Sequence, residues 1–297
     1  MYSHLVNWDN LENKIHSIII NAKTIEDLKP AITMLLNGIG DMHGRIIDAK
    51  DNSTIAYVTD YENLHHPDKR MRDPKMWEIV NDTSQHFEYK VLNGNIGYVK
   101  IVGIVPNVDI QVESEKIRNA IIKLSKNKID KWIIDLRHNG GGNMHPMVTG
   151  IAPLIGDGKV GSLTTLKEEK IFDWEIKNSN FMYQNNQLLK LPNKPKFKKQ
   201  PKIAVLTSKY TVSSGELVAT CFKGRPNTRF FGEATGSLTT NNNWEIIRNE
   251  VIINISTGIY CDRNGNSYPY NIPVDEEIPF PITLETEADE CVIAAKK

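Results

Sequence analysis

The alternation between residues 96 and 232 limits the fold of this chain more than any other feature. Short apolar runs, IGYVKIVGI from Ile96, WIIDL from Trp132 and IAVLT from Ile203, are separated by segments of helical period. Val112, Ile117, Ile121, Ile122 and Leu124 mark one amphipathic helix over residues 109–128. Met147 to Ile155 reads as a second, closing at Gly156, and Leu217, Val218, Cys221 and Phe222 mark a third. A strand period that repeatedly gives way to a helical one predicts βαβ units around a largely parallel sheet. FEYKVL, then Asn93-Gly94-Asn95, then IGYVKI reads as a hairpin that adds an antiparallel member. The expected class is therefore α/β, with a central mixed sheet and flanking helices.

Upstream, residues 8–40 have helical spacing through Leu11, Ile15, Ile18 and Ile19, and then Leu28, Ile32, Leu35 and Leu36. Thr24-x-x-Asp27 has the form of a capping box, and Gly38 and Gly40 stop the second helix. Residues 48–86 are polar and irregular and read as a lid-like loop, partly helical. Residues 159–200 are weakly patterned strands and loops. NEVIINIST follows Gly236 as strand, and the last dozen residues read as a terminal helix. The expected organisation is an N-terminal helical segment with its loop over residues 1–86 and a core over 87–297.

Lys+Arg and Asp+Glu both total 36, which argues against nucleic acid or an anionic membrane surface as the main partner. Three cysteines without tight spacing form neither a zinc signature nor a disulfide framework. No run approaches the roughly 18 apolar residues of a membrane span, and the first residues lack a signal-peptide pattern. The expected location is cytoplasmic if the chain is complete, and extracytoplasmic if a leader or anchor has been removed.

Three features could carry chemistry. Ser213 stands where a strand-turn passes into a helix. Helix N-termini offer unpaired N–H groups and a partial positive charge, both of which favour an oxyanion. An ordinary capping box accounts for Ser213-x-x-Glu216 equally well. The second feature, Gly140-Gly141-Gly142 after WIIDL, lets backbone amides approach a ligand without side-chain obstruction. Gly141 or Gly142 could supply one oxyanion donor and the Ser214 amide the other. The third feature is a base. Histidine titrates near neutrality and is the usual partner of a serine nucleophile. His43, at a helix-to-strand junction, is one candidate. His138 and His145, flanking the glycine loop, compete with it, whereas His65, His66 and His86 fall in polar sequence and His4 and His16 in the N-terminal segment.

Taken together these segments resemble the tail-specific (C-terminal processing) serine peptidases. IDLRHNGGG is similar to their D-L-R-x-N-x-G-G signature, TVSSGE to their nucleophile segment, and Gly232-Glu233-Ala234-Thr235 to their downstream G-E-x-T. The family's usual base is a lysine shortly after G-E-x-T. Here Gly236-Ser237-Leu238 follows, with no lysine before Arg248, and residues 48–86 are too few for a PDZ domain. Asp41-Met42-His43 resembles instead the D-x-H segment of the histidine-using branch, which includes the tricorn-type core peptidases and the nisin-resistance group. The resemblance implies a sheet of crotonase-like type, Ser213 as nucleophile, His43 as base, and Ser214 with Gly141 or Gly142 as oxyanion donors. It also implies a peptide or unfolded-protein substrate and no cofactor or metal. The orienting third group stays open among Asp41, Glu233 and Asp262. Two rivals remain: a non-catalytic peptide- or hydrophobic-ligand-binding protein on the same fold, and a metal enzyme using His138 and His145, whose spacing of seven is not a usual ligand pair.

Overall fold

A computed structural model of the chain describes residues 6–51, 53–60, 74–81, 87–93, 95–165, 167–197, 199–248, 250–280 and 289–297. Among them the elements run α1 (Trp8–Ile19), α2 (Ile25–Ile39), β1 (Arg45–Asp48), β2 (Thr54–Tyr57), α3 (Pro74–Asn81), β3 (Glu88–Leu92) and β4 (Ile96–Lys100). Then come α4 (Ile110–Ser125), β5 (Lys131–Asp135), α5 (Met144–Ile155), β6 (Gly158–Thr164), β7 (Lys170–Lys177), β8 (Asn180–Tyr183) and β9 (Lys202–Thr207). The chain ends with α6 (Ser214–Phe222), β10 (Thr228–Gly232), β11 (Thr240–Ile247), β12 (Val251–Asp262), β13 (Glu276–Glu277) and α7 (Glu290–Lys296). These elements fall into two units. One comprises residues 1–69, 165–167 and 240–259, and the other the remainder.

In the first unit, local chemistry explains the helix ends. The Thr24 hydroxyl accepts the Asp27 N–H, and Asp27 accepts the Thr24 N–H at 2.9 Å, so the capping box expected from sequence starts α2. Gly40 ends it with φ +64°, the left-handed cap that glycine takes without steric cost. β1 pairs antiparallel with β2 and β12, and β12 pairs with β11. Leu36, Ile46, Ile55, Ala56 and Val58 form the core. TNNNWEII is thus a strand although its three asparagines disfavour one, because the β12 partner supplies the pairing that propensity does not.

The second unit carries the expected sheet, in the order β13-β10-β9-β5-β4-β3. All neighbours pair in parallel except β3, the hairpin partner of β4. The Asp109 carboxylate accepts the Gln111 and Val112 N–H groups at the start of α4. α5 starts at Met144, earlier than its apolar pattern, because Asn143 caps it. α7 (Glu290–Lys296) lies within the tail expected to be helical, whose first residues lie outside the described ones. The main core joins Trp132, Ile134 and Val205 to Ile117, Met147, Ile151 and Leu217, and reaches Trp174 and Phe181 of the antiparallel β6-β7-β8 group. Each such large apolar side chain contributes about 1.5–3 kcal/mol on burial. The consequence for function lies in the β5–β9 pair. These parallel neighbours have Asp135 opposite Leu206, so the loops leaving their carboxyl ends emerge side by side. One is the glycine loop and the other leads to Ser213.

Candidate active site

The turn between β9 and α6 is stitched onto the glycine-loop side. Ser208 Oγ donates to Arg137 O at 2.6 Å, Thr211 Oγ1 to Leu136 O at 2.8 Å, and the Val212 N–H to Asn139 O at 3.0 Å. At its end Ser213 adopts φ +56°, ψ −120°, a conformation that side-chain-bearing residues rarely take and that costs about 1–3 kcal/mol. The surroundings hold it there. The Ser213 N–H donates to Glu216 Oε2 at 3.0 Å, and its carbonyl accepts the Glu216 and Leu217 N–H groups. A sharp, strained strand-to-helix turn of this kind raises a serine hydroxyl above the sheet.

Glu216 is fully buried and organises the site from below. Besides Ser213, it accepts the Ser237 N–H at 3.1 Å, the Leu238 N–H at 2.8 Å and the Thr235 hydroxyl. Four donors converge on two oxygens, which suits a group that only accepts. Leu238 thus donates its backbone N–H to the carboxylate that anchors the serine turn.

The glycine loop meets that turn directly. Gly141 has φ +96°, and a Cβ there would lie 2.9 Å from Ser213 Cβ and 3.1 Å from Val212 O. Gly142 has φ +103°, and a Cβ there would collide with the Ile104 carbonyl oxygen. Glycine is thus required at both positions by backbone conformation and by space. The Gly141 N–H donates to Asn139 Oδ1 at 3.0 Å within its own loop. Gly142 is exposed and its N–H bonds to no described residue, as does the N–H of Ser214 at the first turn of α6. The Ser214 hydroxyl donates to the Gly142 carbonyl at 2.6 Å and joins these two segments.

His43 belongs to the first unit. Gly44 donates to Asp41 O at 3.0 Å, so residues 41–44 form a turn. The buried Asp41 carboxylate receives the His43 N–H at 3.1 Å and the Ser256 N–H at 2.7 Å. His43 Nδ1 lies 2.9 Å from Thr240 Oγ1; Ser256 Oγ lies 3.0 Å from Thr240 Oγ1 and 2.7 Å from Asp41 Oδ1. Thr240 and Ser256 carried no sequence signal, because a hydroxyl 197 residues from a histidine is linked to it only by folding.

The competing residues have separate surroundings. His138 is buried with its ring edge-on to Phe280 at 5.3 Å; neither ring nitrogen has a hydrogen-bond partner among the described residues, and burial pushes it down to about 4. His145 packs on Phe181 and Tyr183, and burial lowers it too. His16 is paired with Glu12 on α1 at 3.7 Å. His4, His65, His66 and His86 lie outside the described residues. Glu233 accepts the Lys209 N–H, and Asp262 holds its own turn through Asn264, Asn266 and Tyr268.

The strained serine at the start of α6 thus stands beside the glycine loop that leaves the neighbouring parallel strand. Residues 95–279 match the model of Peptidase family S41, and the chain belongs to that family. It is 35% identical over 155 residues to the nisin-resistance protein of Lactococcus lactis subsp. lactis, covering 52% of this chain. The match spans 48%, about half, of that curated relative's length. Among solved structures it is similar to a lipoprotein from Streptococcus agalactiae, with TM-score 0.67 and 24% identity over 93% of this chain and 86% of that one. A second similar structure is from Parabacteroides merdae and is described as a candidate peptidase, with TM-score 0.60 and 18% identity over 98% and 87% of the two chains. At these identities the structural likenesses speak for the fold.

Proposed function

We propose that this chain cleaves peptide bonds in peptides or protein C-terminal tails, with Ser213 as nucleophile and His43 as general base. The observation that carries the reading is the strained backbone of Ser213, held by Glu216 beside two amides that bond to no described residue. His43 takes the Ser213 proton as Oγ attacks the scissile carbonyl. Negative charge develops on the carbonyl oxygen, and the Ser214 and Gly142 N–H groups receive it. Gly142 is favoured over Gly141 as the second donor because the Gly141 N–H is committed to Asn139. Each donor is worth about 3 kcal/mol in the transition state. The imidazolium then gives its proton to the leaving amine, and water, activated by the same histidine, releases the acyl group. The likeness to a nisin-resistance protein makes nisin the first peptide to assay.

The test combines a fluorophosphonate probe with peptide cleavage read by mass spectrometry. Covalent labelling and cleavage that both disappear in a folded Ser213→Ala variant support the reading. Cleavage that survives the substitution overturns it, and absence of both from the unaltered protein favours the ligand-binding rival.

A further inference from the structure

We infer that Asp41 sets the tautomer of His43 at a distance, through a relay of two hydroxyls contributed by Thr240 and Ser256. The relay rests on the peptidase reading for its purpose but not for its geometry. Asp41 lies in the turn after α2, Thr240 opens β11 and Ser256 lies in β12, where β11 and β12 pair antiparallel. Asp41, Thr240 and Ser256 form a path from a buried carboxylate to Nδ1 of the imidazole, with spacings of 2.7, 3.0 and 2.9 Å.

Proton counting gives the path one direction. A carboxylate only accepts, and a hydroxyl owns one hydrogen. The Ser256 hydrogen goes to Asp41 Oδ1, the shortest contact and the charged one. Asn242 Oδ1, at 3.4 Å, is a distant competitor for it. Ser256 Oγ must then receive from Thr240, whose single hydrogen is thereby committed. Thr240 Oγ1 must in turn receive from His43, so Nδ1 carries the hydrogen and Nε2 carries the lone pair. A general base needs that tautomer, with Nε2 the nitrogen that accepts the nucleophile's proton. The remaining bonds keep the frame still. The Asp41 carboxylate also takes the backbone N–H groups of His43 and Ser256, and Asn254 Nδ2 reaches the His43 carbonyl at 3.4 Å. Asp41 and Thr240 are 3% and 2% exposed, so water does not substitute for either link. Asp41, Thr240 and Ser256 are positioning residues, since they act through His43.

The experiment is nitrogen-15 NMR of the histidine side chains in the full chain, at a pH where the ring is neutral. The His43 signals are assigned by their loss in His43→Gln. The unaltered protein should show a protonated Nδ1 and an unprotonated Nε2. Thr240→Val, which keeps the shape and removes the hydroxyl, should shift His43 toward the other tautomer; Thr240→Ser should restore the original. With nisin or another cleaved peptide, Thr240→Val should lower kcat by roughly tenfold to a hundredfold with little change in KM. If Thr240→Val does not fold, Ser256→Ala breaks the same path one link further on and is read in the same way. An Nε2–H tautomer in the unaltered protein overturns the relay, as do nitrogen shifts that both hydroxyl deletions leave unmoved. The shifts are read on resting protein, so they stand even if Ser213→Ala shows the peptidase reading to be wrong.

Discussion

The hydroxyl of Ser214 donates to the carbonyl of Gly142 at 2.6 Å. That one bond ties the first turn of α6 to the glycine loop and so sets the spacing of the two amides assigned to the oxyanion. On the proposed reading Ser214 serves through its side chain as well as its N–H. The Ser214→Ala variant should keep its fold and lose about 1 kcal/mol of transition-state stabilisation, a reduction of roughly fivefold in kcat/KM. Ser213→Ala should abolish turnover. The two single variants, assayed side by side, check the register of the serine pair; the reverse ranking would move the nucleophile to Ser214.

Gly141→Ala should leave a folded protein whose activity is reduced about a hundredfold. The added methyl meets Ser213 Cβ at 2.9 Å and sits on a backbone with φ +96°. Either Ser213 turns away or the loop retreats, and a displacement of about 1 Å at a reacting group costs about a hundredfold in rate. Circular dichroism together with probe labelling separates this from unfolding, and near-normal activity would place the loop elsewhere.

Glu216→Gln should be strongly destabilising. The amide turns one acceptor oxygen into a donor, which must face at least one of four existing donors. Leaving such buried groups unsatisfied costs about 1–3 kcal/mol each. Denaturant melts should show the loss. An unchanged midpoint would mean that the Ser213 turn is held by other contacts.

The buried His138 makes stability depend on pH. Its ordinary value near 6.5 is retained in the unfolded chain, whereas burial brings the folded chain's value down to about 4. The unfolded state thus binds the proton more readily. The stabilisation is fully present above 6.5, and falls as pH drops until the folded group also protonates near 4. At about 1.4 kcal/mol for each tenfold in proton affinity the loss is about 3 kcal/mol. Substituting His138→Phe should flatten the wild-type decline between these limits in urea melts; parallel curves would assign the decline to other groups.

The C-terminal helix should loosen when one carboxylate is neutralised. Arg137 pairs with Asp135 at 2.7 Å and with Asp289 at 2.6 Å, and all three are buried. Asp289 also caps α7 through the Cys291 and Val292 N–H groups. Asp289→Asn keeps the cap and removes a buried charge partner, a loss of about 3–5 kcal/mol. Amide exchange in α7 should accelerate; protection equal to the wild type would show that the helix is held by its apolar face alone.

Much of this was legible before folding was considered. IAVLT and WIIDL are continuous apolar runs because both faces of their strands are buried, and Ser213-x-x-Glu216 and the three glycines are chemical constraints within a few residues of one another. β11 was not legible, since TNNN has no strand preference until β12 pairs with it. Nor was the commitment of the Gly141 N–H to Asn139, which depends on how the loop closes on itself.

By itself, then, the sequence determined the period of each main element, the alternation of strand and helix that predicts a largely parallel sheet, and the serine, histidine and glycines proposed to carry the chemistry. Those follow from local propensities and from burial, which act over a few residues at a time. Only the tertiary structure decided that the β5 and β9 loops emerge side by side, that Glu216 anchors the serine turn, and that Thr240 and Ser256 stand between Asp41 and His43. Hydrogen bonds between groups some two hundred residues apart have no local signature; their partners exist only once sheet register has brought the strands together.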